Sequence, residues 1–108
     1  MRTLKFNVTG QIVTLDPSCD TTTLVPGAEE PIQAEFTFSE EWDGCVKVVG
    51  FYSNLGREFE PRILKDGKVC RIPTEALKKS IIKLKVFGQH PDYPIQTNKI
   101  AIHQKGGK

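Results

Sequence analysis

The sequence predicts an all-β fold: an immunoglobulin-like antiparallel sandwich of roughly seven to nine short strands with one short helical connector near residues 73–79. Three observations lead there. Apolar and polar residues alternate with period two in short segments, the mark of half-buried strands. Glycine, proline and Asp-Gly turn signals separate those segments at intervals of about eight to twelve residues, and no crossover helix lies between them. Two antiparallel sheets packed face to face are the economical way to bury the apolar faces, with a small barrel as the alternative closure.

Each element follows from its residues. Leu4, Phe6 and Val8 share one face of a first strand, and Thr9-Gly10 permits a tight reversal into Gln11–Leu15. Residues 17–27 read as a loop, since Thr21-Thr22-Thr23 has no periodicity and Pro26-Gly27 supplies a fixed φ and then a residue tolerant of positive φ. Ile32–Phe38 alternates most cleanly, with Ile32, Ala34, Phe36 and Phe38 inward, and Ser39–Gly44 is the turn after it.

Cys45–Ser53 is a long strand in which Lys47, Val49 and Phe51 share a face; Gly50 is expected to mark a bulge that re-aims Phe51. Arg57–Lys65 is a strand broken by Pro61, hence an edge, and Asp66-Gly67 is a hairpin signal into Val69–Ile72. Pro73 followed by Thr74–Lys79 is the helix-like connector, with proline at its start and lysines at its end. Ile82, Leu84 and Val86 face in from the next strand, Gly88–Pro94 is a loop, and Ile100 and Ile102 face in from the last. One domain over residues 1–104 is expected, followed by a solvated tail at 105–108.

Composition narrows the function classes. The hydrophobic fraction of 38% and charged fraction of 26% are those of a chain able to fold, without the charge excess that keeps segments disordered. No apolar run reaches the roughly 18 residues that a membrane helix needs, and the charged, alternating start does not read as a secretory leader, so the expected setting is a cytoplasm. Cys19, Cys45 and Cys70 are odd in number and widely spaced, which fits reduced, mostly buried thiols.

Charge is uneven along the chain. Residues 1–44 carry two basic and eight acidic side chains, residues 45–108 thirteen basic and five acidic. Such a split steers docking if it survives folding, and cancels if the fold interleaves the two halves.

No reactive constellation stands out. His90 and His103 flank no serine or cysteine in a nucleophile pattern, and the glycines are spread over turns rather than gathered into a phosphate loop. Glu40-Glu41-Trp42-Asp43 gathers acids without calcium-loop spacing. Arg71, Lys78, Lys79, Lys83 and Lys85 cluster late, but Phe87 is the only ring among them, so nucleic acid is not indicated and the lysines read as solubilising strand faces. The expectation is a chain with no enzymatic activity, no catalytic or metal-binding residues and no cofactor.

One set of segments stands out: Ala34-Glu35-Phe36-Thr37-Phe38-Ser39-Glu40-Glu41-Trp42-Asp43-Gly44 through Val46-Lys47-Val48 and Gly50-Phe51-Tyr52, then Leu64-Lys65-Asp66-Gly67-Lys68-Val69-Cys70-Arg71-Ile72-Pro73-Thr74-Glu75-Ala76-Leu77, then Leu84-Lys85-Val86-Phe87-Gly88 and Thr97-Asn98. In this order it resembles small immunoglobulin-like virion proteins of tailed bacteriophages that infect Gram-positive and gut bacteria. The likeness spans about residues 32–104. It implies a capsid decoration or head-fibre protein bound to the major capsid protein or other virion proteins, in many copies or as a homo-oligomer, on a particle assembled in the bacterial host cytoplasm. A tail or baseplate fibre anchoring domain, or a carbohydrate- or receptor-binding module for a host-surface glycan, is the alternative.

Four rings are the expected partner contacts: Trp42, Tyr93, Phe51 and Phe87. Trp42 can either cap one end of the core or stay exposed as an anchor, and Tyr93 sits in a loop stiffened by Pro91 and Pro94.

Overall fold

The structure, a computed structural model, describes residues 2–21, 23–28 and 30–104. It is a β-sandwich of two sheets. The strands are β1 (Arg2–Thr9), β2 (Ile12–Leu15), β3 (Ile32–Phe38), β4 (Val46–Ser53), β5 (Arg62–Ile63), β6 (Val69–Arg71), β7 (Ile81–Gln89), β8 (Pro94–Gln96) and β9 (Ile100–His103). A 3-10 turn spans Glu40–Trp42, and one helical turn, α1 (Thr74–Leu77), fills the place of the expected connector. The first sheet runs β2-β1-β3-β6; the second runs β5-β4-β7, with β8 and β9 both paired to the far side of β7. The expected tail at 105–108 lies outside the described residues.

Alternation does the local work. Leu4, Phe6 and Val8 of β1 and Ile32, Ala34 and Phe36 of β3 are buried, facing Val49 and Phe51 of β4 and Ile82, Leu84 and Val86 of β7 across one continuous core. Phe6, Phe36, Phe38 and Trp42 form a chain of rings with centroids 5.0, 6.0 and 5.2 Å apart, leading from mid-sheet to one end of the sandwich. Gly10 takes φ 58° in the β1–β2 reversal, and Asp66 and Gly67 take φ 54° and 67°, the left-handed pair that Asp-Gly supports.

Two local expectations fail for physical reasons. The sandwich is not wholly antiparallel, because β1 and β3 pair in parallel from Arg2↔Ile32 to Val8↔Phe38. The β1–β2 hairpin occupies one edge of β1, so the chain returns through residues 16–31 to the free edge, and β3 then runs in the direction of β1. Leu24, in that long connection, is buried and plugs the core, although no periodicity marks it. Gly50 is not a bulge either: β4 and β7 pair without interruption from Val46↔Gln89 to Ser53↔Ile82. A Cβ on Gly50 would lie 2.5 Å from Tyr52 Oη and 3.2 Å from Phe87 Cε2, so the glycine makes room for the Tyr52 ring folded back over it.

The Asp66-Gly67 turn forms, but its arms part. Lys65 and Val69 are bridged, after which the chain leaves the second sheet for β6 in the first. Cys70 on β6 is buried opposite Ala34, and burial pushes its thiol up to about 12, which keeps it protonated and unreactive. The three cysteines are free thiols.

Asp16, after β2, accepts the Ser18 hydroxyl at 2.7 Å, the Ser18 amide at 2.9 Å and the Asn7 side-chain amide at 3.0 Å. The Ser18 hydroxyl first, then its amide and Asn7, hold this carboxyl down at about 2. A folded-state pKa below the unfolded one adds stability that is complete above about pH 4 and is lost as pH falls toward 2. Thermal unfolding across that window should fall less steeply for Asp16→Asn than for the wild type; parallel slopes would contradict this linkage.

Candidate docking face on the second sheet

The second sheet has one face against the core and one open to solvent. Its pairings place Val46, Val48, Gly50 and Tyr52 of β4 beside Gln89, Phe87, Lys85 and Lys83 of β7 on the open side, with Ile63 opposite Val48, Gln96 opposite Phe87, and Ala101 opposite Lys83. A strand face turned to water ordinarily reads as polar. Here Val46 is 61% exposed and Ile63 72% exposed; Val48, beside Ile63, and Phe87, on the other side of Val48, are half-buried.

A depression of about 310 Å³ opens at the end of this apolar strip, lined by Gln11, Val46, Val48, Phe87, Ile95 and Gln96. Beside the strip the face is cationic. Lys99 Nζ stands 4.0 Å from the centre of the Tyr52 ring and Lys85 Nζ 5.2 Å from that of Phe87. No strand of this sheet contains an aspartate or glutamate. The neighbouring carboxylate is Glu58, bridged to Tyr52 at the rim; burial first, and then that carboxylate, push the Tyr52 hydroxyl above its ordinary value.

The uneven charge of the two halves therefore outlasts folding in one respect. Strands β1, β2 and β3 belong to the first sheet, whereas five of the six strands after Gly44, all but β6, form the second, so the lysine-rich half builds one whole layer. Many early acids sit instead in connections, Asp16 and Asp20 after β2 and Glu40, Glu41 and Asp43 after β3.

The four expected contact rings separate. Trp42 and Phe51 are 0% exposed and cannot reach a partner. Trp42 is the cap: its ring packs on Phe38 and lies over Gly88, and Nε1 donates to the Gly10 carbonyl at 2.7 Å. Phe51 is aimed inward by regular alternation, opposite Leu84. Tyr93 is 39% exposed, yet one side of its ring is covered by His90 at 4.3 Å and its hydroxyl donates to the Glu41 carbonyl at 2.7 Å, so it serves chiefly to tie the β7–β8 loop to the 3-10 turn. Phe87 alone lies on the open sheet face.

The motif segments singled out in the sequence converge on fold stitching. Ser39 Oγ accepts the Gly10 amide, and the Ser39 hydroxyl, first among its causes, holds the Glu41 carboxyl below its ordinary range. Thr97 Oγ1 accepts the Val86 amide, while Asn98 Oδ1 accepts the Val13 amide at 3.0 Å, joining the second sheet to the edge strand of the first. His90 and His103 stand at opposite ends of β7, and among the described residues no three or more histidine, cysteine or acidic side chains are grouped to hold a metal ion. No helix in the described residues is long and apolar enough to cross a membrane.

Val46 and Ile63 are what sequence reasoning missed. The available signal was Val46, Val48 and Tyr52 sharing one phase of a strand whose other phase is also apolar. Comparison with family models, with curated proteins and with solved structures returns no match.

Proposed function

We propose that this chain is a non-enzymatic structural protein of a bacteriophage virion, a capsid decoration or head-fibre protein that docks through the open face of its second sheet. The observation that carries the docking role is the uncovered strip of Val46, Val48, Ile63 and Phe87 on a regular, hydrogen-bonded sheet. Contiguous apolar surface on a folded domain marks an interaction site, and a hydrogen-bonded sheet offers it with little ordering cost on binding. The resemblance of residues 32–104 supplies the virion setting.

Protein quantification on density-purified particles of the phage that encodes the chain tests the reading. Many copies per particle are expected, comparable to the capsid subunit. Its absence from particles, with the protein abundant in the host lysate, would remove the virion assignment.

A further inference from the structure

We infer that the open face of the second sheet binds an acidic protein surface with an apolar centre, rather than a second copy of itself. The inference rests on reading this face as the docking surface, but not on which particle carries the partner.

The face is divided. Val46, Val48, Ile63 and Phe87 form its apolar part, and Lys83, Lys85 and Lys99 its cationic part, with strands that contribute no carboxylate. Burying the apolar part requires a partner of similar character, because apolar area removed from water is what drives such association. Burying lysines beside it demands compensation, since a desolvated charge left unpaired is strongly unfavourable. A partner that satisfies both has aliphatic or aromatic side chains at its centre and aspartates or glutamates on the side that meets the lysines.

A second copy does not meet this requirement. Laid face to face, three lysines of each copy would meet mostly apolar or basic groups of the other, because the strands of this face carry no acid and Glu58 at the rim beside Tyr52 is a single carboxylate against three ammonium groups. Single-stranded nucleic acid fits less well. Stacking platforms present several open rings, whereas Tyr52 is 7% exposed beneath the Lys99 ammonium and the most exposed side chains are aliphatic. The cleft lined by Arg62, Arg71 and Lys78 is a weaker anion site, because Arg62 is engaged with Glu60, Lys78 pairs with Glu75, and Glu30 lines the same cleft.

The test is a chemical-shift titration of the full ¹⁵N-labelled chain with two probes, a peptide of leucine and phenylalanine flanked by glutamates, and oligothymidylate of equal charge. The peptide should shift amides of β4, β5, β7 and the Lys99–His103 segment, and binding should weaken with added salt. Lys85→Glu combined with Lys99→Glu should weaken it by about 10-fold or more while the spectrum stays dispersed; Lys83→Gln provides a milder version if the double variant does not fold. Shifts centred on Arg71, Thr74 and Lys78 with β4 and β7 unmoved, no peptide binding, tighter binding of oligothymidylate, or concentration-dependent dimerisation through the face would each overturn the inference.

A second arm separates it from the virion reading. Wild-type chain and the double charge variant are offered to particles lacking the protein. If wild type loads and the variant does not, both stand. Equal loading of the two leaves the virion reading and removes the face. Peptide binding at the face with no loading of wild type leaves the face and removes the virion reading.

Discussion

Trp42→Ala is expected to lower the unfolding free energy by about 4 kcal/mol, the upper range for deleting a large buried aromatic. The side chain is completely buried, packs against Phe38 in a tilted pair at 5.2 Å, and fills the space above Gly88 at the end of the core. Its loss leaves a cavity that the paired strands β4 and β7 cannot collapse into, because their register is fixed along their whole length. It also strips the Gly10 carbonyl of the indole donor at 2.7 Å, loosening the β1–β2 turn that Ser39 holds from the other side. In a domain of this size the thermal midpoint should drop by roughly 20 °C. Calorimetry or urea unfolding checks this, and a loss under about 1 kcal/mol would show that the ring is not the end cap of the core.

Gly88→Ala should cost nearly as much, about 3 kcal/mol, for the opposite reason. A Cβ at this position would lie 2.6 Å from Trp42 Cζ3, 2.8 Å from Cε3 and 2.9 Å from Ile95 Cγ2, inside the reach of real contacts on two sides at once. Neither neighbour is a loose side-chain end: the indole is pinned by its hydrogen bond to Gly10, and Ile95 stands on β8 in register with Gly88. Overpacking here has to move a strand or expel the indole.

The two substitutions are coupled through direct contact, which makes the argument testable beyond each one's size. In the Trp42→Ala background, Gly88→Ala should cost only about 1 kcal/mol, since the ring is gone and the close approach to Ile95 Cγ2 alone remains. A double-mutant cycle by urea unfolding should therefore return a coupling of about 2 kcal/mol. Additive effects would mean that Gly88 is constrained by something other than the tryptophan.

These two residues also show how far the sequence could be read. Alternation located β1, β3, β7 and β9 and their inward faces, since Leu4, Phe6, Phe36, Leu84, Val86 and Ile102 are buried as that pattern requires. Asp66-Gly67 and Thr9-Gly10 announced their turns because each needs a left-handed backbone that few residues adopt. The reason for Gly88 was not legible: its neighbour in space lies 46 positions earlier, in a turn whose residues carry no period. Gly50 was misread on the same account, as a local irregularity, when its role is to leave space for the Tyr52 and Phe87 rings. Among the four candidate contact rings, aromaticity was visible but accessibility was not, so Trp42 and Phe51 belong to the core and Phe87 to the open face.

By itself the sequence determined where the long strands lie, which side of most of them is apolar, and where the chain turns between them, because those are properties of a few consecutive residues and their backbone preferences; the short β5 and β8 were not delimited by it. The tertiary structure decided which strands are neighbours, including the parallel β1–β3 pair, and which apolar side chains are covered. Val46, Val48 and Val49 are nearly alike in sequence; only the packing of one sheet on the other buries Val49 and leaves Val46 at the surface. Burial is a property of distant segments brought together, and it is at that level that the docking face of this protein comes into being.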